Sequence, residues 1–120
     1  MKSGPLRFIF LFLLSFSAAA QMEIVEIEKP QLAKSIAGVV TDHSGGAIPG
    51  VIVEERSEDW KKVLRSTQTD DHGRFHFSAR SKKTIYKLQF SRSGFNWVRI
   101  KLRLDKNAAP TVVIKMPLGT

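Results

Sequence analysis

Residues 96–104 read Asn-Trp-Val-Arg-Ile-Lys-Leu-Arg-Leu and alternate polar and apolar side chains more regularly than any other part of the chain. Successive side chains of a β-strand point to opposite faces of the sheet, so this pattern predicts a strand with one buried and one exposed face. The predicted inward residues are Val98, Ile100, Leu102 and Leu104, and the predicted outward residues are Trp97, Arg99, Lys101 and Arg103. The outward face of this strand is therefore basic and carries one large aromatic ring.

Shorter segments on both sides of this stretch have the same character. Further strands are predicted at residues 35–41, 51–56, 62–69, 74–78, 84–90 and 111–116. Clusters of Asp, Gly, Pro and Ser separate them, and these residues favour turns. No long segment after residue 20 has an apolar stripe at helical spacing. The pattern predicts an all-β chain folded as a seven-stranded antiparallel β-sandwich.

The composition limits the class of protein. The chain has 120 residues, of which 25% are charged and 42% hydrophobic, as expected for one globular domain. It contains no Cys, which excludes disulfides, cysteine-ligated zinc, a thiol nucleophile and a lipid-modified cysteine. The formal charge is +8, and acidic residues dominate up to Trp60 whereas basic residues dominate after it. The chain is therefore polarised along its length, a property that concerns partners rather than fold.

Residues 1–20 have the three parts of a secretory signal peptide. Lys2 and Arg7 precede an apolar run at residues 8–14, which passes into Ala18-Ala19-Ala20. A membrane anchor is the alternative, but the run is shorter than the stretch of about 20 apolar residues that spans a bilayer. We expect cleavage after Ala20, a secreted or periplasmic protein, and no stable membrane insertion after cleavage.

Residues 21–34 form an acidic N-terminal arm ahead of a predicted domain at residues 35–117. The acidic residues of the arm are Glu23, Glu26 and Glu28, interspersed with Ile and Val. The acidic run ends at Lys29-Pro30, where the proline has no N–H to donate to a neighbouring strand. The arm is either an edge strand or a mobile tail, and the sequence leaves both open.

Five segments of the predicted domain occur in an order that resembles a known family. They are residues 36–42, 45–53, 69–77, 86–90 and 93–95. In this order they resemble the carboxypeptidase regulatory-like domain, and the resemblance extends over roughly residues 35–116. It implies a transthyretin-like Greek-key β-sandwich and a non-catalytic module that is common in exported bacterial proteins. The chain departs from the family at Lys82-Lys83-Thr84, where a Pro-Gly-type turn is common.

Four residues in these segments are assigned structural roles in turns: Gly50, Asp70, Gly73 and Gly94. Glycine adopts positive φ without strain, and an Asp side chain accepts hydrogen bonds from nearby backbone amides. A calcium site at Asp70 and Asp71, with Asp42, is the alternative. Calcium takes about six to eight oxygen ligands, and the spacing of an EF-hand loop is absent. We therefore expect no metal and no cofactor.

The histidines His43, His72 and His76 are the residues on which an enzymatic hypothesis depends. A related fold, the hydroxyisourate hydrolase of urate breakdown, uses histidines and an arginine, but that family ends in a Tyr-Arg-Gly-Ser-type tetrapeptide. This chain ends in Met-Pro-Leu-Gly-Thr at residues 116–120, and it has none of the common hydrolase or phosphate-loop motifs. We predict no catalytic residues and no enzymatic activity. A small transthyretin-related hydrolase or metal site built on the histidines is the alternative.

The candidate ligand-binding residues are Lys87, Trp97, Arg99, Lys101 and Arg103. A hairpin of residues 84–90 and 96–104, turning at residues 91–95, is predicted to place Lys87 opposite Arg99, Ile85 opposite Lys101 and Gln89 opposite Trp97. Like charges opposite one another destabilise a sheet, which favours an anion covering this face. The alternative is a solvated basic face that protects the sheet from edge pairing.

The predicted partner is an anionic polysaccharide or an acidic protein. Basic residues beside an aromatic ring are also typical of nucleic-acid binding, but an exported protein seldom meets nucleic acid, so none is expected. The acidic arm is a further candidate, docking within one molecule or between two, and oligomers are considered through strand edges or through the arm. The predicted function is an exported, non-catalytic binding or assembly module.

Overall fold

The computed structural model of the chain describes residues 23–119. The predicted signal peptide and its cleavage site lie outside the described residues. Residues 23–119 contain no helix and form β1 (Ile24–Ala33), β2 (Ile36–Thr41), β3 (Ile52–Arg56), β4 (Val63–Gln68), β5 (Arg74–Phe77), β6 (Ile85–Ser91), β7 (Trp97–Leu104) and β8 (Val112–Lys115). In this part of the chain, no helix is long and apolar enough to cross a membrane.

The strands form two sheets with a shared apolar core. Their strand orders are β1-β7-β6-β3-β4 and β5-β2-β8. The core contains Tyr86 and Phe90 from the larger sheet and Ile36 and Phe75 from the smaller one. The rings of Phe75 and Phe90 meet edge to face with centroids 5.2 Å apart, a geometry that aromatic pairs prefer. The predicted all-β sandwich is confirmed, and it forms because each alternating strand removes one apolar side from water.

Two features of the predicted sandwich are wrong, the number of strands and their uniformly antiparallel pairing. The seven predicted segments form β2 to β8, and the arm adds β1 at the edge of the larger sheet, so the described residues contain eight strands. β1 runs parallel to β7, and β2 runs parallel to β8. The Greek-key connectivity stays a prediction.

The parallel pairs arise because two chain segments cross side by side from the larger sheet to the smaller sheet. One segment leads from β1 to β2 through Lys34 and Ser35, and the other leads from β7 to β8 through residues 105–111. At the crossing the Asp105 N–H donates to the Ala33 carbonyl at 2.9 Å, and the Lys34 N–H donates to the Ala109 carbonyl at 2.9 Å. Both segments run in the same direction, so the strands that they contribute are parallel in each sheet.

The arm therefore belongs to the fold as an edge strand. Val25 and Ile27 are half-buried against the core, while Glu26 and Glu28 are exposed. The pairing with β7 shifts register between Ile27 and Gln31, around Pro30, because a proline cannot contribute an N–H to a ladder. An irregular edge with exposed charges and a proline resists further strand pairing.

Gly38 on β2 lies directly beside Val112 of β8. A Cβ at this position would collide with the carbonyl oxygen of Val112 and lie 3.0 Å from the Phe75 ring. We expect Gly38→Ala to lower the free energy of unfolding by about 3 kcal/mol, because an extra carbon in a filled site forces the backbone apart. Urea unfolding measures the change.

Gly119→Ala is the matched control, since its nearest neighbours would lie 3.4–3.6 Å from the added Cβ. Its free energy of unfolding should stay within about 0.5 kcal/mol of the wild-type value. Equal losses for the two glycines would contradict the close approach at Gly38.

Candidate functional site

The five candidate binding residues share the outward face of the larger sheet. In β7, buried Val98, Ile100 and Leu102 alternate with the more exposed Trp97, Arg99, Lys101 and Arg103. Lys87 lies on the neighbouring strand β6 and is half-buried on the same face. We call the outward side chains of β6 and β7 the basic face.

The register of the basic face differs by two residues from the predicted hairpin. Lys87 lies opposite Lys101, Ile85 opposite Arg103 and Gln89 opposite Arg99. The last register pair is Phe90 with Val98, and the N–H of Phe95 closes the turn on the carbonyl of Arg92, so the connection is longer than the predicted one. The like-charged cross-strand pair is therefore Lys87 with Lys101, and Arg99 faces an amide instead of a lysine.

A loop covers part of the basic face. The connection between β3 and β4 places the Trp60 ring over the Arg99 guanidinium, 4.7 Å from the ring centroid, and over the Lys87 ammonium, 5.2 Å away. These are cation–π distances. The Lys87 ammonium also donates to the Glu58 carbonyl, and Arg56 donates to the Trp60 carbonyl at 3.0 Å. The loop thus holds two of the predicted binding cations.

Trp60 was missed from the sequence, although it is one of only two tryptophans in the chain. It follows a strand and lies among acidic and basic turn residues, a position that indicates nothing more than a loop. Its φ of +68° belongs to the left-handed region, which bulky residues rarely adopt. A backbone held in this conformation depends on surrounding contacts, here the cations beneath the ring and the hydrogen bond from Arg56.

Arg99 is also held by a chain of polar contacts across three strands. Its Nε donates to Oε1 of Gln89 at 2.9 Å, and Nε2 of Gln89 donates to Oε1 of Glu54 at 3.3 Å. The same Glu54 oxygen pairs with Arg56 at 2.6 Å. Gln89 is only 2% exposed, so Arg99 is connected to a carboxylate through a buried amide. The charge of Arg99 is partly satisfied within the protein.

Lys101 and Arg103 have no comparable partner among residues 23–119. Neither side chain forms an ion pair or hydrogen bond with a described residue, and Arg103 is exposed. Glu26 on β1 lies beside Arg99, and Glu28 lies in the irregular part of β1 alongside Lys101. The arm docks on β7 by backbone pairing along its edge, and its acidic side chains form no ion pair with Lys101 or Arg103.

The opposite end of the basic face is apolar. Trp97 is half-exposed and lies beside Ile24 of β1. It lines a shallow depression of about 240 Å³ together with Ile52, Ser91 and Arg92. The ring does not lie over Arg99, since that place is taken by Trp60. The face thus presents an aromatic surface at one end and open cations at the other.

The residues assigned to turns occupy tight turns in the structure. The φ values are +71° for Gly50, +73° for Gly73 and +90° for Gly94. At Gly73 a Cβ would also lie 2.7 Å from the Val40 carbonyl oxygen, so glycine is required there on two grounds. Asp70 accepts hydrogen bonds from the N–H groups of Arg74 and His72, both at 2.9 Å. The Arg74 contact is the main cause that lowers the pKa of the Asp70 carboxyl.

The histidines do not converge on one site. His43 and His72 are exposed in turns, and His76 is exposed on β5. Within residues 23–119, no three His, Asp or Glu side chains are grouped closely enough to hold a metal ion. Asp42 directs its carboxylate at the backbone N–H groups of Ser44 and Gly46, as Asp70 does in its own turn. These carboxylates stabilise turns.

A buried carboxylate on β3, next to the edge strand β4 of the larger sheet, was also missed from the sequence. Glu55 on β3 is 0% exposed and accepts from Arg65 Nε at 2.6 Å and from Lys83 Nζ at 2.7 Å. The Arg80 guanidinium lies 4.0 Å away. Burial raises the pKa of Glu55, but the hydrogen bonds from Lys83 and Arg65 outweigh burial and hold the pKa below its usual value. The acidic character of residues 54–55 gave no indication of which one is buried.

The Glu55 ion pairs are expected to stabilise the fold in a pH-dependent way. Glu55→Gln should lower the free energy of unfolding by about 2 kcal/mol at pH 7, because a neutral amide cannot replace the charge-assisted hydrogen bonds that the carboxylate accepts from Arg65 and Lys83. A lowered carboxyl pKa stabilises above the unfolded value of 4.5 and loses its effect as the pH falls through the folded value. The difference between wild type and Glu55→Gln should therefore shrink below about pH 4.5.

Denaturant unfolding between pH 3 and pH 7 measures this difference. The pH-dependent contributions of the other carboxylates cancel in it, because both proteins carry them. Glu54→Gln is the matched control, with a half-exposed pair that should contribute about 1 kcal/mol or less. A difference at Glu55 that stays constant over this range would contradict the assignment.

The comparison with family models found one match. The model of the family described as the carboxypeptidase regulatory-like domain matches residues 35–117. The comparison with curated proteins found no match to the chain. The matched residues begin just before β2 and end just after β8, so they include the basic face and the Glu55 cluster and leave out β1.

Proposed function

Because the chain belongs to the carboxypeptidase regulatory-like domain family, whose members are generally non-catalytic β-sandwich domains, we propose that it is an exported binding module without enzymatic activity. Its ligand is an anionic polysaccharide, bound at the basic face. The cations that contact the ligand are Lys101 and Arg103, and the aromatic surface is that of Trp97. Arg99 and Lys87, held by Trp60 and Gln89, shape the middle of the face.

The observation that carries this proposal is the cross-strand pair of Lys87 and Lys101. Like charges directly opposite one another in an antiparallel pair are destabilising, by a few tenths to about 1 kcal/mol. Lys87 is partly compensated by Trp60 and the Glu58 carbonyl, whereas Lys101 has no partner among the described residues. An anion above Lys101 and Arg103 relieves this repulsion, so the face is better matched to a bound anion than to water.

A polysaccharide suits the face better than a compact anion does. Trp97 and Arg103 lie at opposite ends of β7, six residues apart, which corresponds to about 20 Å of strand. A chain of acidic sugars spans such a distance, with one ring stacked on the indole and carboxylates on the two free cations. An acidic protein is the other candidate, and it is an outcome of the experiment below.

The direct test titrates the mature protein with polygalacturonate and follows tryptophan fluorescence. Both tryptophans of the chain border the basic face, so a bound ligand changes the emission. We expect saturable binding at low salt that weakens as salt increases, because exposed ion pairs are screened. No response at any salt concentration would eliminate this polysaccharide and leave an acidic protein as the partner to be tested.

Lys101→Glu should separate binding from stability. The variant is expected to weaken polygalacturonate binding about tenfold, since it replaces an attractive contact by a repulsive one. It should also raise the free energy of unfolding by a few tenths to about 1 kcal/mol, because the new carboxylate would lie opposite Lys87. Fluorescence titration and urea unfolding of the same sample measure both quantities.

Lys115→Glu is the matched control, with the same charge change on an exposed residue of β8 in the smaller sheet. It should leave the affinity within about twofold of wild type, since it lies on the other sheet. Equal weakening by the two variants would mean that net charge, not the basic face, governs binding.

Export is tested by the N-terminus of the protein that accumulates outside the cytoplasm. Expression of the full chain in a bacterial host should give a periplasmic or secreted product beginning at Gln21, because the signal peptide is removed after Ala20. Intact-mass measurement of the fractions determines the N-terminus. A cytoplasmic product that retains residues 1–20 would contradict export.

A further inference from the structure

The free edge of β4 has a groove and a cluster of cations beside it. Among residues 23–119, β4 pairs only with β3, so its outer backbone groups have no strand beside them. Thr69 N–H donates to the Val51 carbonyl of the adjoining chain, and hydrogen bonds alternate along an antiparallel pair. The N–H groups of Ser66 and Gln68 therefore point to the free edge.

A groove of about 710 Å³ adjoins this edge. The residues that line it include Thr67 and Gln68 of β4, Arg74 and His76 of β5, and Ala37 of β2. It is large enough for several residues of extended chain, and its walls offer polar side chains along its length.

At Arg65, the same strand carries a cluster with excess positive charge. Arg65 points from β4 over the Phe77 ring of β5, 4.8 Å from the centroid, and meets Glu55 together with Lys83 and Arg80. One carboxylate thus faces three cations. Nη2 of Arg65 is buried and has no hydrogen-bond partner among the described residues, and the Arg80 side chain is 47% exposed. The cluster has capacity for a second carboxylate.

The cluster is held in place before any ligand arrives. The Tyr86 hydroxyl accepts a hydrogen bond from the Arg80 N–H at 2.8 Å and lies 3.0 Å from the Lys83 carbonyl, to which it donates. The Lys83 ammonium lies over the Tyr86 ring at 5.1 Å. Since Tyr86 is itself buried in the core, it holds the backbone of the loop between β5 and β6 at Arg80 and Lys83.

We propose that the free edge of β4 binds an extended acidic peptide segment of a partner protein by strand addition. The peptide backbone bonds to the outer N–H and C=O groups of Ser66 and Gln68. A side chain of the added strand that points the same way as Arg65 meets Arg65 and Arg80, and Glu or Asp at that position supplies the missing carboxylate. Strand addition supplies the binding free energy, and the cations select an acidic sequence.

Charge favours this occupant over a second copy joined through the same strand. Two β4 strands side by side would bring two clusters of excess positive charge together. The Asp70 carboxylate also lines the groove, but it is occupied by the backbone N–H groups of Arg74 and His72. It lies beyond Gln68, at the end of the groove away from Arg65, so acidic ligand residues belong at the Arg65 end.

The test uses an acetylated, amidated hexapeptide of alternating Thr and Glu, titrated into the ¹⁵N-labelled mature protein. Saturable amide shifts concentrated at Ser66 and Gln68 are expected, whereas the matched peptide of alternating Thr and Lys should give none. Shifts confined to β6 and β7 would place the peptide on the basic face and overturn the proposal, as would equal binding of the two peptides.

Two pairs of variants separate the β4 edge from the basic face. Ser66→Pro removes an outward N–H without touching the ladder to β3 and should weaken the peptide at least tenfold, whereas Ser66→Thr should bind within about twofold of wild type. Arg80→Gln should weaken the peptide about fivefold and leave polygalacturonate binding unchanged. Arg103→Gln should weaken polygalacturonate binding about fivefold and leave peptide binding unchanged.

Unfolding measurements on each variant establish that it folds. A Ser66→Pro protein that is folded and retains full peptide affinity would overturn strand addition. Without peptide, the protein could also have a doubled mass in solution and a Ser66 amide that is protected from hydrogen exchange. That result would show that a second copy occupies the β4 edge and would overturn the proposal.

Discussion

The sandwich depends on two chain segments that pass together from the larger to the smaller sheet. Backbone hydrogen bonds join residues 33–34 to residues 105–109 at the crossing, and the parallel pairs β1·β7 and β2·β8 extend from it in both directions. Gly38 leaves room for the Val112 carbonyl of β8 beside β2. One side of the sandwich is therefore closed by main-chain bonding, which depends on few side chains other than the glycine.

The opposite side is joined by the short connection between β4 and β5 and by side chains. There the edge strands are β4 and β5, and Arg65 bridges them by stacking on Phe77 while it pairs with Glu55. Removing the cations of this ion pair is costly, because the buried Glu55 carboxylate would be left without a partner. The same arrangement leaves the outer backbone groups of β4 without a strand beside them and surrounds one carboxylate with three cations. The two edges of one fold thus differ in how they interact with other chains.

The polarity of the chain, acidic before residue 60 and basic after it, acquires a structural meaning in this arrangement. β3 carries Glu54 and Glu55 on opposite faces and lies between β4 and β6, so each glutamate meets basic residues from later in the chain. Glu54 forms an ion pair with Arg56 and is connected to Arg99 through Gln89. Glu55 forms ion pairs with Arg65 and Lys83. Within residues 23–119, Arg56, Arg65, Arg80 and Lys83 are thereby paired within the molecule. Lys101 and Arg103 on the basic face have no ion pair with a described residue, and Arg80 meets Glu55 only at 4.0 Å.

Local sequence pattern was sufficient to predict the strands, the buried residues of β7 and the face that carries Trp97, Arg99, Lys101 and Arg103, because side-chain alternation is a local property of extended backbone. Four further features follow only from the three-dimensional arrangement: the arm is a parallel edge strand, Lys87 faces Lys101, Trp60 covers Arg99 and Glu55 is buried. Each of these depends on turn length or on backbone pairing between residues far apart in the chain. A pattern with a period of two residues determines neither turn length nor long-range pairing. It is the same for parallel and antiparallel neighbours, and a shift of two residues leaves it unchanged.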